Sequence, residues 1–496
     1  MSDAPLHLAI DLGAGSGRAI LGRLSASGVL LQEVHRFQYP PRQAAGHLRW
    51  EFGAVLDGIR HGIRCAQTAV SSLDGHIDSI GVDSWGVDYG LLDESGSLIE
   101  DPVCYRDART AGLVDEVCGR ISREEIFSRT GIQFLPLNTL YQLVAHVSEG
   151  LPPEATHLLL VPDLCHHALC DSRVTERTNA STTQLLRVDE GRWDPLLFER
   201  LGLPLQIMPD VVPAGTELGT LSTRHQRELS VGPVRVIAPA THDTASAVAG
   251  TPLTPGWAYI SSGTWSLVGV ERETPLVNSA VAHANFTNEA GAAGTVCFLK
   301  NVMGLWILEA CRREWETAGV KCDFATLLEK VDAVGGIAGL VFPDHPRFFN
   351  PPSMIAELRR HLIETKQPPP DEPVLLAKVI LDSLAFRYAS VINTIEALTG
   401  RHIPGIHIVG GGALNGYLNQ ATANATGRPV LAGPAEATAT GNLVVQAIAR
   451  GEVPSLASAR DLIERAMRPK CFTPRASVEW MAAARRYGDI EEQCAA

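Results

Sequence analysis

The chain has 496 residues, with 42 Lys and Arg against 55 Asp and Glu, for a formal charge of −13. That length exceeds what one hydrophobic core usually serves, so two domains or one domain split by a cleft are expected. An acidic balance without a Lys/Arg run argues against nucleic acid and anionic membrane as partners, because both are held by clustered positive charge.

The opening, MSDAPLHLAID, has no basic segment leading into an apolar one, and no run nears the ~18 apolar residues that span a bilayer. A cytoplasmic location is expected. Ten cysteines are scattered without CxxC spacing, so packed thiols are expected rather than a zinc site or disulfides.

HLAIDL, RAILGRL, LLQEVHRFQY and IDSIGVD carry the alternation of strands, and EFGAVLDGIRHGIRCAQTAV carries helical spacing. Alternating strands and helices make the class α/β. From SREEIFSRTG onward the middle is mostly helical with loops. The strand pattern restarts at VRVIAPATHDTASAVAG, followed by AYISSGTWSLVGVE, whose strand, Gly/Ser turn and strand repeat the opening stretch. Two related halves follow, an N-terminal domain over 1–240 and a C-terminal domain over 241–496; two unrelated hairpins are the alternative. The last stretch, ASVEWMAAARRYGDIEEQCAA, is predicted as an amphipathic helix packing on the body or a partner.

LAIDLGAGSGRAILGRL places Gly13, Gly15 and Gly17 between two strands. The GxGxG spacing and the returning strand fit neither a Walker loop nor a dinucleotide fingerprint. A hairpin turn presenting backbone N–H groups and the Ser16 hydroxyl to nucleotide phosphates fits better, with Asp11 holding water around Mg²⁺; an ordinary glycine hairpin is the alternative. SSGTWS has the same logic, with Thr264 offering a hydroxyl. In IHIVGGGALNGYLNQATANATG, Gly410 to Gly412 follow a buried strand and lead into a helix ending at a Gly427 C-cap, a turn against which a base or ribose could lie flat.

THDTASAV sets His242, Asp243 and Thr244 at a strand end and a helix start. The helix N-terminus favours an ionised Asp243 there, suited to act as a positioned base, or else only as an N-cap. GVDSWGVDYG puts Asp83 and Asp88 beside Trp85 and Gly86, the makings of a sugar pocket in which the aromatic face stacks. YRDART adds Arg106, Asp107 and Arg109, equally suited to a surface ion pair.

Taken in order, IDLGAGSGRAIL, IDSIGVDSWGVDYGLLD, YRDART, GIQFLPLNTLYQL, THDTASAV, YISSGTWSLVG, LKNVMGLWIL and VGGGALNGYLNQ with its downstream GP.EAT..GN resemble the FGGY carbohydrate kinases over residues 8 to 450. Within that family they resemble most the branch acting on L-rhamnulose. The resemblance implies a two-domain actin-like (ribonuclease H-like) ATPase fold with its active site in the interdomain cleft. It implies ATP with Mg²⁺, and transfer of the γ-phosphoryl to the 1-hydroxyl of L-rhamnulose. By the same resemblance, Ala14, Gly15, Ser16, Gly17 and Arg18 contact phosphates, and Gly86, His242, Asp243, Thr244 and Asn301 bind the sugar, beside the Trp85 face read above. Asp243 accepts the proton, Thr264 touches ATP phosphates, and Glu309 and Gly411 lie on the nucleotide side. Another ketose such as L-fuculose or xylulose, or a non-catalytic ATP- and sugar-binding regulator, are the alternatives.

There are departures. Glu309 stands where the family often has an amide, and a carboxylate there would repel phosphates unless it faced ribose. Gly15 replaces a serine common in the branch. Cysteines that pair in some relatives near NQATANATG are absent, so no disulfide is expected there.

Overall fold

Alternating apolar residues build strand β1 (Ala4–Leu12), which turns back through β2 (Ser16–Ser25) into β3 (Gly28–Gln38). Helix α1 (Phe52–Val70) leads to β4 (Gly75–Ser84). Then come α2 (Val161–Cys170), α3 (Arg177–Ser181), β5 (Glu217–Thr220), β6 (Arg235–Ile237) and α4 (Asp243–Ala249). This computed structural model describes residues 4–25, 28–70, 72, 75–320, 323–475 and 477–495; residues 1–3 of the opening segment and Cys322 lie outside them.

The chain forms two compact units. The first comprises Met1–Pro252, Glu271–Phe298 and Ala437–Met467. Its six-stranded sheet has the order β5-β6-β4-β1-β2-β3. β1, β2 and β3 form an antiparallel meander, while β4 runs parallel to β1 and β6 parallel to β4. Side chains of a strand alternate between faces, so β1 is covered twice. Ile10 points toward α1, where Gly62 lies against Ala19, and Ala9 joins Ile20 and Leu24 in a core with Leu443, Val444 and Ala447 of the Ala437–Ala449 helix.

The expected cut at 240 placed Asp243 and everything after it in one domain. The structure instead keeps α4 and the Ala437–Ala449 helix with the N-terminal sheet. Two glycines allow their backbones to touch: a Cβ on Gly441 would lie 1.7 Å from the Ser246 carbonyl oxygen, and one on Gly250 would lie 2.0 Å from that of Ala437.

The second unit comprises Leu253–Val270, Leu299–Glu436 and Arg468–Ala496. Its hairpin is β7 (Ala258–Ser262) with β8 (Trp265–Arg272), followed by α5 (Trp306–Thr317) and the long α6 (Pro373–Thr399). β9 (Ile406–Val409) runs parallel to β7 and is followed by α7 (Gly416–Thr426). β10 (Val430–Ala432) and β11 (Lys470–Phe472) extend that sheet. A hairpin thus occurs in both units, as the repeated pattern implied, and in each a parallel strand lies beside it. α7 ends at Gly427 with φ +66°, the predicted C-cap. The last helix, α8 (Val478–Ala495), buries Ala483, Tyr487 and Ile490 against Leu340 and Phe386, so it packs back on its own unit. None of the nine described cysteines is in a disulfide, and Cys104, Cys165, Cys297 and Cys311 are buried. Among the described residues no helix is long and apolar enough to cross a membrane.

Candidate active site

The β1–β2 turn is held from within. Gly13 N–H donates to the Ser16 carbonyl at 2.8 Å, and the buried Tyr39 hydroxyl is within 2.8 Å of the Gly13 carbonyl and 2.9 Å of that of Ser16. Gly15 has φ +132°, a conformation open mainly to glycine, with nothing within 4 Å of where a Cβ would sit. Gly17 serves packing instead, since a Cβ there would meet Phe37 at 2.5 Å. Ala14 and Ser16 are exposed. The turn therefore offers a rigid, open backbone to a ligand.

Strand register sets two carboxylates near one another. Asp11 lies opposite Arg18 on β2, which donates a hydrogen bond to it, and opposite Asp83 on β4. Asp83 is fully buried. It accepts a 2.6 Å bond from Asn442, while its other oxygen has no hydrogen-bond partner. Burial, and after it the Asp11 charge, push its carboxyl far above the usual range. Such a group keeps its proton at neutral pH unless a cation offsets its charge. Asn442 is oriented in turn by Gln446, whose Oε1 accepts from Ser79 and whose Nε2 reaches both Asn442 Oδ1 and the Leu8 carbonyl.

Asp243 is the first residue of α4. His242, not Asp243, occupies the N-cap position, and its side chain does not cap the helix. Full ionisation from the helix N-terminus was expected, but burial and the Asp11 charge outweigh it and raise the Asp243 pKa to about 7. A third of its side chain remains open to solvent, and Thr244 Oγ1 donates to it at 3.2 Å. The buried His242 lies between two carboxylates, Nε2 3.5 Å from Asp243 and Nδ1 3.4 Å from the buried Glu289. Burial lowers the His242 pKa to about 4, so its ring is neutral. The sequence reading missed Glu289, Asn442 and Gln446, which converge from distant segments.

The loop carrying His242 is fastened by buried Glu176. It accepts from both Thr241 N–H and Thr241 Oγ1 at 2.9 Å, and His242 N–H donates to Thr178 Oγ1 at 3.1 Å. Trp85 differs from its expected stacking role. It is 7% exposed, donates to Asp88 at 2.9 Å, and packs on Trp50 and Tyr39, leaving no open face for a sugar. Asp88 is likewise occupied, by Trp50, Trp85, Tyr105 and Gln142. Half-buried Gly86 is followed by Val87 at φ +71°, a strained conformation for a β-branched residue, with its carbonyl held at 2.7 Å by Thr139 Oγ1. Asp107 accepts from Leu48 and Arg109 N–H groups, so YRDART makes a structural turn.

In the second unit two turns stand at the same end of the parallel strands β7 and β9. Thr264 is exposed in the first, with its carbonyl accepting from Trp306 at the start of α5. In the second, Gly410 has φ +77° and a Cβ on Gly412 would lie 2.0 Å from Ser262 Oγ, whereas Gly411 has open space around it. Backbone conformation and packing thus account for two of the three glycines, and Gly411 alone is left for a ligand. Asn301 is half-buried in the strand Val296–Met303. Glu309 on α5 accepts from Arg312 at 2.8 Å and Arg313 at 3.0 Å; burial pushes its pKa upward, but the two guanidiniums hold it below the usual value. Its charge is thereby neutralised locally.

Residues 6–250 match the N-terminal domain, and residues 258–450 the C-terminal domain, of the FGGY family of carbohydrate kinases. The chain belongs to this family and is an ATP-dependent sugar kinase. It is 42% identical to the rhamnulokinase of Pectobacterium carotovorum subsp. carotovorum over 98% of this chain and 96% of that one. It is 39% identical to the rhamnulokinase of Bacteroides thetaiotaomicron over 96% and 97%. The ligand-bound xylulose kinase of Lactobacillus acidophilus shares the fold, with a TM-score of 0.78 at 15% identity over 99% of this chain and 98% of that one.

Proposed function

We propose that this kinase transfers the γ-phosphoryl of ATP to the 1-hydroxyl of L-rhamnulose in the cytoplasm, giving L-rhamnulose 1-phosphate. The observation that carries the chemistry is Asp243, a partly open carboxyl with a pKa of about 7 beside Asp11 and the rigid glycine turn. The choice of sugar rests on the two rhamnulokinases that align along nearly the whole chain. On this reading Asp243 takes the O1–H proton as the O1–Pγ bond forms. The bond from Pγ to the β,γ-bridging oxygen breaks, and ADP leaves with that electron pair.

The turn Ala14, Gly15, Ser16, Gly17 and Arg18 receives phosphate oxygens, and Thr264 does so from the second unit, where Gly411 and Glu309 take the nucleoside side. His242, Thr244, Gly86 and Asn301 bind the ketose. The adjacent Asp11 and Asp83, one with an oxygen that no hydrogen bond satisfies, suit a hard divalent cation. They would hold the Mg²⁺ that accompanies ATP, or the water around it, and that ion supplies neutralisation of phosphate charge.

The test is an ADP-release assay coupled to a chromogenic enzyme over a panel of ketoses that includes L-rhamnulose, L-fuculose and xylulose. The highest kcat/KM is expected for L-rhamnulose. A higher value for another ketose reassigns the substrate, and no ADP release with any of them leaves a binding protein.

A further inference from the structure

We propose that His35, His61 and Cys65 form a binding site for a borderline-soft divalent cation of the Zn²⁺ class, one that nothing in the kinase reaction requires. The site follows from how α1 sits on the meander. A Cβ at Gly58 would overlap the Phe37 ring at 2.1 Å, and one at Gly62 would meet Ala19 at 2.7 Å, so only glycine at both positions allows this approach. His61 and Cys65, one helical turn apart on α1, are thereby brought to His35 of β3. The His35 and His61 ring centroids are 4.5 Å apart, and the ligand atoms of all three side chains lie within 4.8 Å of one another.

Two imidazoles and a thiol select Zn²⁺ or Co²⁺ over Mg²⁺, and three protein ligands leave a fourth position for water. Among the described residues none of these three side chains has a hydrogen-bond partner, so each is available as a ligand. Glu33, the nearby carboxylate on β3, is engaged by Arg36 at 2.6 Å. The other group of three such residues among those described, His7, Asp78 and Glu452, lacks this availability. Asp78 there is neutralised by Arg235 at 2.9 Å and Arg450 at 2.6 Å, and His7 is bonded to Ser79 and Glu452. A cation on the His35 site would tie α1 to β3, and so stabilise the folded chain by an amount that grows with the logarithm of the free cation concentration above its dissociation constant.

The experiment is a Co²⁺ titration of the chelator-treated full chain, followed by absorbance, with thermal unfolding measured in Zn²⁺ alongside. A thiolate-to-cobalt charge-transfer band saturating at one equivalent is expected. It should be lost in Cys65→Ser, and the affinity should fall by more than about tenfold in His61→Ala. Zn²⁺ should raise the unfolding midpoint of the parent and not of Cys65→Ser. Absence of the band in the parent, or its persistence in Cys65→Ser, overturns the proposal. His61 is exposed, so His61→Ala should fold; unchanged metal affinity in it also counts against the site.

Discussion

A carboxyl poised near neutrality can take a proton from an alcohol and release it again, and at Asp243 two opposing influences set that poise. The start of α4 favours the anion, while burial and Asp11 favour the acid and prevail. As the proposed base, Asp243 must be deprotonated to work. kcat/KM is therefore expected to rise with pH along a limb centred near 7, and Asp243→Asn should abolish that limb. The same variant should lower kcat by about a hundred- to ten-thousandfold with ATP binding retained, read by steady-state kinetics and nucleotide titration. Glu289 lies 3.4 Å from the neutral His242 ring beside Asp243, and on the proposed mechanism it positions that ring. Glu289→Gln is expected to cost up to about a hundredfold in kcat, to shift the pH limb, and to leave KM for ATP unmoved; an unshifted limb would make its role structural only. The sequence shows Asp243 because its neighbours THDTAS are local. It hides the raised pKa, which comes first from burial that no spacing encodes and then from Asp11, more than two hundred residues earlier. Trp85 errs in the same way: the residue type suggested a stacking face, and Trp50, Tyr39 and Asp88 together enclose it.

Glycines of similar appearance in the sequence do different work in their elements, and substitution separates those roles. Gly15→Ala meets no atom but must hold φ +132°, so it is expected to cost about 1–3 kcal/mol or to reshape the turn, and to raise KM for ATP. Gly411→Ala meets neither atoms nor a strained φ. Its stability should stay within about 0.5 kcal/mol of the parent, so any rise in its KM for ATP reports a crowded ligand; an unchanged KM removes Gly411 from the nucleotide site. Thermal unfolding and ATP-dependent initial rates on the same preparations decide both. The hairpins and the Gly427 cap were legible because alternation and turn chemistry are properties of neighbours in sequence. The division of labour within GGG was not, because the demand on Gly412 is made by Ser262, some 150 positions away.

At the scale of the whole chain, the first unit is completed only when the chain returns to it at Ala437–Met467. A single cut at 240 overlooked this, since linear order carries no trace of a helix rejoining an earlier sheet. The downstream GN of the family pattern was the available signal: it is Gly441 and Asn442, the one seated against α4 and the other holding Asp83. Two acids of the proposed chemistry, Asp83 and Asp243, thus depend on adjacent residues of one helix contributed by the far end of the chain. Gly441→Ala tests this dependence. Its methyl group would lie 1.7 Å from the Ser246 carbonyl oxygen, a backbone atom that no rotamer change can move aside. The two helices must separate, at an expected cost of about 1–3 kcal/mol. Because α4 begins with Asp243, the same displacement should lower kcat, whereas the β1–β2 turn and the residues proposed to hold the nucleotide keep their own supports and KM for ATP should hold. A lowered unfolding midpoint with normal kcat would mean that the Glu176 and Thr178 bonds at the head of α4 fix Asp243 without help from the helix contact. A parent-like midpoint would mean that the contact carries no weight at all.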